Sequence, residues 1–246
     1  MIFHQFFHAE SFTFTYLLAS RKGGEALIID PVREDVPAYV AKLNALQTKL
    51  VVAVDTHVHA DHITGLDALR TATACATKMG LQSKADCVSA RFSDGEILRF
   101  DGLELTAIYT PGHTDDSYSF LMNDRVFTGD TLLIHGTGRT DFQNGNARAQ
   151  YDSLFGKLLA LPDATRVFPA HDYNQRHEST IGEEKRLNPR LKVDSVEEYI
   201  ELMGSLRLPR PRLMDVAVPA NLRCGRTEQN GTERHDARGG HTNAKV

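Results

Sequence analysis

Four short apolar runs in this chain each end in a histidine or an aspartate: VVAVDT leads to His57, LTAIYTPG to His113, RVFTG to Asp130 and RVFPA to His171. Runs of this length, rich in β-branched and aromatic residues, read as buried strands. Strand ends along one edge of a sheet lie close in space however far apart they are in sequence, so the four residues are expected to meet in one pocket backed by a rigid sheet. The loop after the first run adds His59, Asp61 and His62, so that HVHADH crowds four ligand-type side chains into six positions. Imidazole and carboxylate donors without thiolate suit zinc, iron or manganese and exclude copper(I) and iron–sulfur clusters. Each segment alone has an ordinary reading: a capping Asp61, a turn residue His113, an Asx turn at Asp130, a satisfied core histidine at His171. Four such coincidences at four strand ends explain the pattern less well than one metal centre. His4, His8, His135, His177, His235 and His241 lack that setting and are not assigned to the metal.

Around these runs strands and helices alternate, which predicts a layered α/β fold. FTYLLA (14–19) and EALIID (25–30) flank Arg-Lys-Gly-Gly as a hairpin. Val36, Tyr39, Val40, Leu43 and Leu46 recur at helical spacing, with Asp35 as N-cap and Pro37 in the first turn. EILRF (96–100) and LELTAIY (103–109) flank Asp101-Gly102, a two-residue hairpin turn. Tyr151, Leu154, Phe155, Leu158 and Leu159 trace an amphipathic helix, and Ser195 with Glu198 forms a capping box before a helix burying Val196, Tyr199, Ile200 and Met203.

With 246 residues, 41% of them hydrophobic, the chain can bury a sizeable core. One domain is expected over 1–224, including a helical extension from about 175, followed by a polar, disordered tail over 225–246. A net charge of −4 gives no basic field for nucleic acid or an anionic membrane. No apolar run approaches the roughly 20 residues of a membrane span, and the N-terminal stretch lacks the marks of a signal peptide, so a cytoplasmic protein is expected. Cys75, Cys87 and Cys224, odd in number and widely spaced, are expected to be reduced thiols, with Cys224 buried and inert.

HxHxDH followed by a distant His, Asp and His resembles the metallo-β-lactamase fold, an αβ/βα sandwich of two packed mixed β-sheets flanked by helices. Within it, GTGRTDFQNGNA (136–147), PAHDYN (169–174), EEKRLNPRL (183–191) and VPANLRCG (218–225) resemble the persulfide dioxygenases over nearly the whole chain except the tail. The pattern departs at Thr137 and Asn146, where animal members of that family carry cysteines.

The resemblance implies an Fe(2+)-dependent dioxygenase, one ion per chain, oxidising glutathione persulfide with O2 and water to sulfite and glutathione in sulfide detoxification. His57, His113 and Asp130 would carry the iron and the catalysis. His59, Asp61, His62 and His171 would support those ligands or line a second metal position. Two imidazoles and one carboxylate on one face of iron leave open positions for substrate. Glutathione has two carboxylates and an ammonium, so Arg139, Tyr173, Arg190 and Arg223, all in family-like segments, are the candidates to bind it. Arg139 could equally pair with Asp141, and Arg190 could equally cap a turn. A homodimer and a metabolic link to a sulfurtransferase are further expectations. The competing reading is a glyoxalase II-type hydroxyacylglutathione hydrolase with two metals, since each of its seven ligand positions has a suitable residue here. A non-catalytic module with a vestigial site would need at least one lost ligand.

Overall fold

The computed structural model describes residues 1–173 and 176–226. The first sheet runs in chain order: β1 (Ile2–His8), β2 (Thr13–Ala19), β3 (Glu25–Ile29), β4 (Lys49–Val54), β5 (Ala76–Gly80) and β6 (Ala90–Phe92). The second holds β7 (Ile97–Phe100), β8 (Leu103–Tyr109), β9 (Tyr118–Leu121), β10 (Arg125–Gly129), β11 (Arg166–Pro169) and β12 (Ser179–Thr180), again in chain order. Both are mixed. The hairpins pair antiparallel, and β3–β4, β4–β5, β5–β6 and β10–β11 pair parallel. The helices are α1 (Val36–Leu46), α2 (Leu66–Thr73), α3 (Ala147–Ser153), α4 (Ile181–Leu187), α5 (Val196–Ser205) and α6 (Met214–Asn221).

Strand alternation makes the sandwich. Phe14, Tyr16 and Leu18 of β2, with Leu27 and Ile29 of β3, turn toward Phe100, Leu105, Phe120, Phe127 and Phe168 of the other sheet. The intervening Leu17, Ala19, Ala26 and Ile28 face outward onto α1 and α2. Val126 and Val167 likewise face Leu154, Tyr199 and Met203 on the far side. The inter-sheet core is largely aromatic, with Tyr16 and Phe127 at 4.9 Å and Phe3 and Phe168 at 4.9 Å between ring centroids. The expected layering is therefore observed.

Several local expectations shift. Asp35 occupies the N-cap of α1 without a side-chain cap bond, because the 3-10 turn Arg33–Asp35 leads straight into the helix. The helix read over 151–159 is α3 followed by a π-helical turn, Leu154–Leu158. The wider turn aligns residues four apart, so Leu154 and Leu158 are both buried while Tyr151 stacks on Phe155 at 4.2 Å. Ser195 caps α5 by accepting from Glu198 N, but Glu198 reaches back to Asp194 N, and Ile200, expected to be buried, is exposed.

The cysteine reading is corrected. Cys87 and Cys224 form a disulfide across 137 residues, leaving Cys75 as the free, buried thiol. Spacing in sequence could not show it: the pair meets only because the turn after α6 packs against the first sheet, where Cys224 joins the core cluster of Leu66 and Leu69. Of the expected tail, residues 227–246 lie outside those described, whereas Gly225 and Arg226 are docked, Arg226 on Asp67 at 2.8 Å. Denatured, unreduced protein should therefore expose one reactive thiol of the three, and Cys87→Ser should lower the unfolding free energy by about 2–5 kcal/mol. Three thiols reacting without reductant would refute the bridge.

Candidate metal centre

His57 lies three residues past β4, His113 four past β8, Asp130 directly after β10 and His171 two after β11. The sandwich thus delivers all four to one edge. Gly112 permits the turn that presents His113: at φ +142° a side chain there would meet the Gln150 backbone at 2.3 Å. His57, His113 and Asp130 offer donor atoms within 4.8 Å of one another, and so do His59, Asp61 and His62. His113 Nε2 stands 3.6 Å from Asp130 Oδ2. His57, His59, His62 and His171 are at most 2% exposed. The Asp61, His113 and Asp130 side chains keep 26%, 13% and 11%, so any substrate meets the cluster from their side.

Charge pairing organises the cluster. His171 donates from Nδ1 to Asp130 Oδ1 at 2.6 Å and from Nε2 to Asp61 Oδ2 at 2.8 Å. Burial disfavours its charge, yet the two carboxylates override that and raise its pKa well above the ordinary value. Burial likewise opposes ionisation of Asp130 and Asp61. His171 holds both far below the usual carboxylate range, with help from His113 at Asp130 and from His62 at Asp61. His57 is driven the other way, well below 6.5, by burial and then by His59 and His113, and burial also lowers His62. Both are suited to present neutral imidazole nitrogens. His59 donates from Nε2 to Asp30 Oδ1 at 3.1 Å; burial opposes its charge, but Asp30 prevails and lifts it to about 9.

The donor set fits a divalent metal on a separate observation. His62, which burial keeps neutral and whose Nδ1 donates to Asp61 at 2.9 Å, has its Nε2 lone pair buried without a hydrogen-bond partner. An unpaired buried polar atom costs about 1–3 kcal/mol, a cost that a nearby cation would offset. His113 donates from Nδ1 to the Arg139 carbonyl at 2.8 Å, which leaves Nε2 for an ion.

The metallo-beta-lactamase superfamily matches residues 9–81 and 88–171. Human "Persulfide dioxygenase ETHE1, mitochondrial" is 44% identical over 228 residues, 92% of this chain and 89% of that protein, and the mouse protein of the same name is 43% identical over the same span. The crystal structure of ETHE1 from Myxococcus xanthus superposes with a TM-score of 0.89 at 49% identity, covering 92% of this chain and all of that one. The chain belongs to the persulfide dioxygenase family of the metallo-beta-lactamase superfamily. A Staphylococcus aureus metallo-beta-lactamase at 24% identity shares the fold, with a TM-score of 0.83 over 90% of this chain and 71% of that one.

The segments that carry the family resemblance surround the centre. Tyr173 is 63% exposed and stacks parallel on His171 at 6.0 Å, beside Phe12 at 5.5 Å. Arg139 spends its guanidinium on Asp141 at 2.6 and 2.8 Å and on the Pro209 and Leu208 carbonyls, stacked over Phe142. Its side chain ties the loop to the C-terminal segment while its carbonyl orients His113. Arg190 donates to the Thr137 carbonyl at 2.5 Å, and Arg223 is exposed on the turn after α6.

Two residues that the motif reading passed over lie against the HVHADH loop, and the first braces it. Asn221 donates to the carbonyls of His59 (2.9 Å) and His62 (2.8 Å) and accepts from Thr64 N (2.9 Å), all buried. Its signal in sequence is its place in the family-like VPANLRCG. Asp55, beside the loop, has its pKa pushed up to about 7, chiefly by burial, and its Oδ1 is unpartnered.

Asn221→Ala should cost about 2–4 kcal/mol, since it strips three buried backbone groups of their partner; chemical denaturation measures this, and a loss under 1 kcal/mol would refute the brace. In metal-free protein, Asp55 keeps its proton where the unfolded chain has released it, so its contribution to stability falls as pH rises from about 4 through about 7. Asp55→Asn should flatten that part of the stability-versus-pH curve. Parallel curves for the two proteins would show that Asp55 is not the group responsible.

Proposed function

We propose that this chain oxidises glutathione persulfide with dioxygen and water to glutathione and sulfite, using one iron(II) held by His57, His113 and Asp130. The carrying observation is that His57, His113 and Asp130 converge with Nδ1 of both histidines engaged, by Thr56 and by the Arg139 carbonyl, and Nε2 left bare, whereas in the second such group, His59, Asp61 and His62, Asp61 is engaged with His171. The names of the relatives support the substrate. Against the two-metal glyoxalase II reading stands the 44% identity to human persulfide dioxygenase over 92% of this chain and the superposition on the Myxococcus xanthus ETHE1 structure.

Iron(II) bound there would supply the redox chemistry that lets dioxygen react with a sulfur anion. The chain's own residues do the rest. The Arg139 carbonyl fixes the His113 ring. His171 holds Asp130 ionised and in place. The closely packed His57, His59 and His62 exclude water from behind, so a persulfide enters past Asp61, with Tyr173 at the lip to meet its glutathionyl part. Arg139 and Arg190 act in this reading by holding the 137–141 loop in place, and Arg223, exposed on the turn after α6, is the candidate to meet a carboxylate of the substrate. A homodimer and a cytoplasmic location complete the proposal. Light scattering tests the first and cell fractionation the second, and thiol trapping in the same fractions shows whether Cys87 and Cys224 are bridged there, where thiols are ordinarily kept reduced.

Iron(II)-loaded protein given glutathione persulfide should consume oxygen and release sulfite in equal amounts, and His113→Ala should abolish both. Zinc-loaded protein should leave S-lactoylglutathione intact. No oxygen uptake alongside rapid thioester cleavage would establish the hydrolase instead.

A further inference from the structure

Asp30 stands out as a buried carboxylate one residue past β3, held at φ +51°, a left-handed conformation uncommon outside glycine. It is no member of the His57, His113 and Asp130 cluster. Its Oδ1 accepts from Thr56 N at 2.7 Å and from His59 Nε2 at 3.1 Å, and its Oδ2 accepts from Thr56 Oγ1 at 3.0 Å. Thr56 Oγ1 in turn lies 3.0 Å from His57 Nδ1.

We infer that Asp30 and Thr56 are positioning residues that set the tautomer of His57. The inference rests on reading His57 as a metal ligand. A hydroxyl has one proton, and a carboxylate oxygen can only accept. With Oδ2 at 3.0 Å, the Thr56 proton points to Asp30, so the Thr56 oxygen faces His57 with its lone pairs. His57 Nδ1 must then carry the hydrogen, and Nε2 is left bare for the metal. The chain Asp30, Thr56, His57 thus does through a hydroxyl what the Arg139 carbonyl does directly for His113. Thr56 is also enclosed on its other side: a Cβ at Gly129, the residue before Asp130, would come within 2.8 Å of its Oγ1. The strand that presents Asp130 therefore closes on the threonine and leaves it little freedom to turn away.

The relay predicts opposite behaviour from two conservative changes. In Asp30→Asn, the amide oxygen takes the Thr56 and His59 N–H donors, so the NH2 group faces Thr56 Oγ1. The hydroxyl is then free to donate to His57 Nδ1, which selects the tautomer with hydrogen on Nε2, the nitrogen the metal needs. Thr56→Ser keeps the hydroxyl and its direction. Imidazole nitrogen NMR of the metal-free protein should show hydrogen on His57 Nδ1 in wild type and Thr56→Ser, and on Nε2 in Asp30→Asn. Zinc and iron(II) competition titrations should show affinity lowered about 10–100-fold in Asp30→Asn and nearly unchanged in Thr56→Ser. Thr56→Val, which removes the hydroxyl while keeping the backbone donor to Asp30, covers the case in which Asp30→Asn does not fold; it should mix the two tautomers and weaken binding. Tight metal binding by wild type with the same tautomer and affinity in the folded variants would overturn the relay alone. Wild type that binds neither ion, or His57→Ala that binds as wild type does, would instead sink the metal reading.

Discussion

Seven histidine and aspartate side chains share one edge of this sandwich, and burying them together is tolerable only because opposite charges are interleaved. Asp61, His171 and Asp130 form a line of carboxylate, imidazole and carboxylate with contacts of 2.8 and 2.6 Å. On the other flank Asp30 holds His59. Isolated charges in such a place would neutralise by shifting their pKa values. Here His171 and His59 are held protonated by their carboxylate partners, while burial holds His57 and His62 neutral. The centre is therefore sorted before any ion arrives into nitrogens that can ligate and nitrogens already committed.

That sorting needs a backing that does not move. The two sheets supply it through their aromatic interior, and single bonds lock the edges together: Tyr16 reaches the carbonyl of Pro169, two residues before His171, at 2.5 Å, and Tyr118 N donates to the Thr56 carbonyl at 2.9 Å. Each connects one sheet to the strand end of the other. The C-terminal segment adds a third tie. Asn221 grips the HVHADH loop from outside, three residues before the disulfide to Cys87. Elements that never touch substrate thus determine where the donors stand.

The fold and the donors were legible for one reason: both are written locally. Short apolar runs announce β2, β3, β8 and β10, and at the site a ligand-type residue follows a run within a few positions. β1 was not recognised, because Ile2–His8 is half-buried along its length and mixes polar with aromatic residues. What also stayed hidden are roles defined by distant contact. Asp30 meets Thr56 across 26 residues, Asn221 meets His59 across 162, and Cys87 meets Cys224 across 137. In sequence Asp30 is one more strand-end aspartate and Asn221 one more helix-end asparagine. Arg139 was only half legible: its pairing with Asp141 is local, but the use of its carbonyl to orient His113 depends on tertiary approach.

A ligand set shared across a superfamily cannot decide how many metals are held, yet the hydrogen bonds around it weigh on the choice. A second ion would draw on Asp61 and His171 beside His59 and His62. Asp61 Oδ2 already accepts from Thr13, His62 and His171, and both nitrogens of His171 are taken by carboxylates. Recruiting them means deprotonating His171 against the pull of two aspartates and breaking several buried bonds. His57, His113 and Asp130 face no such obstacle, since the first two have Nδ1 occupied by Thr56 and Arg139 and keep Nε2 for the ion. Selectivity for one metal over two can thus reside in the partners of the ligands rather than in the ligands.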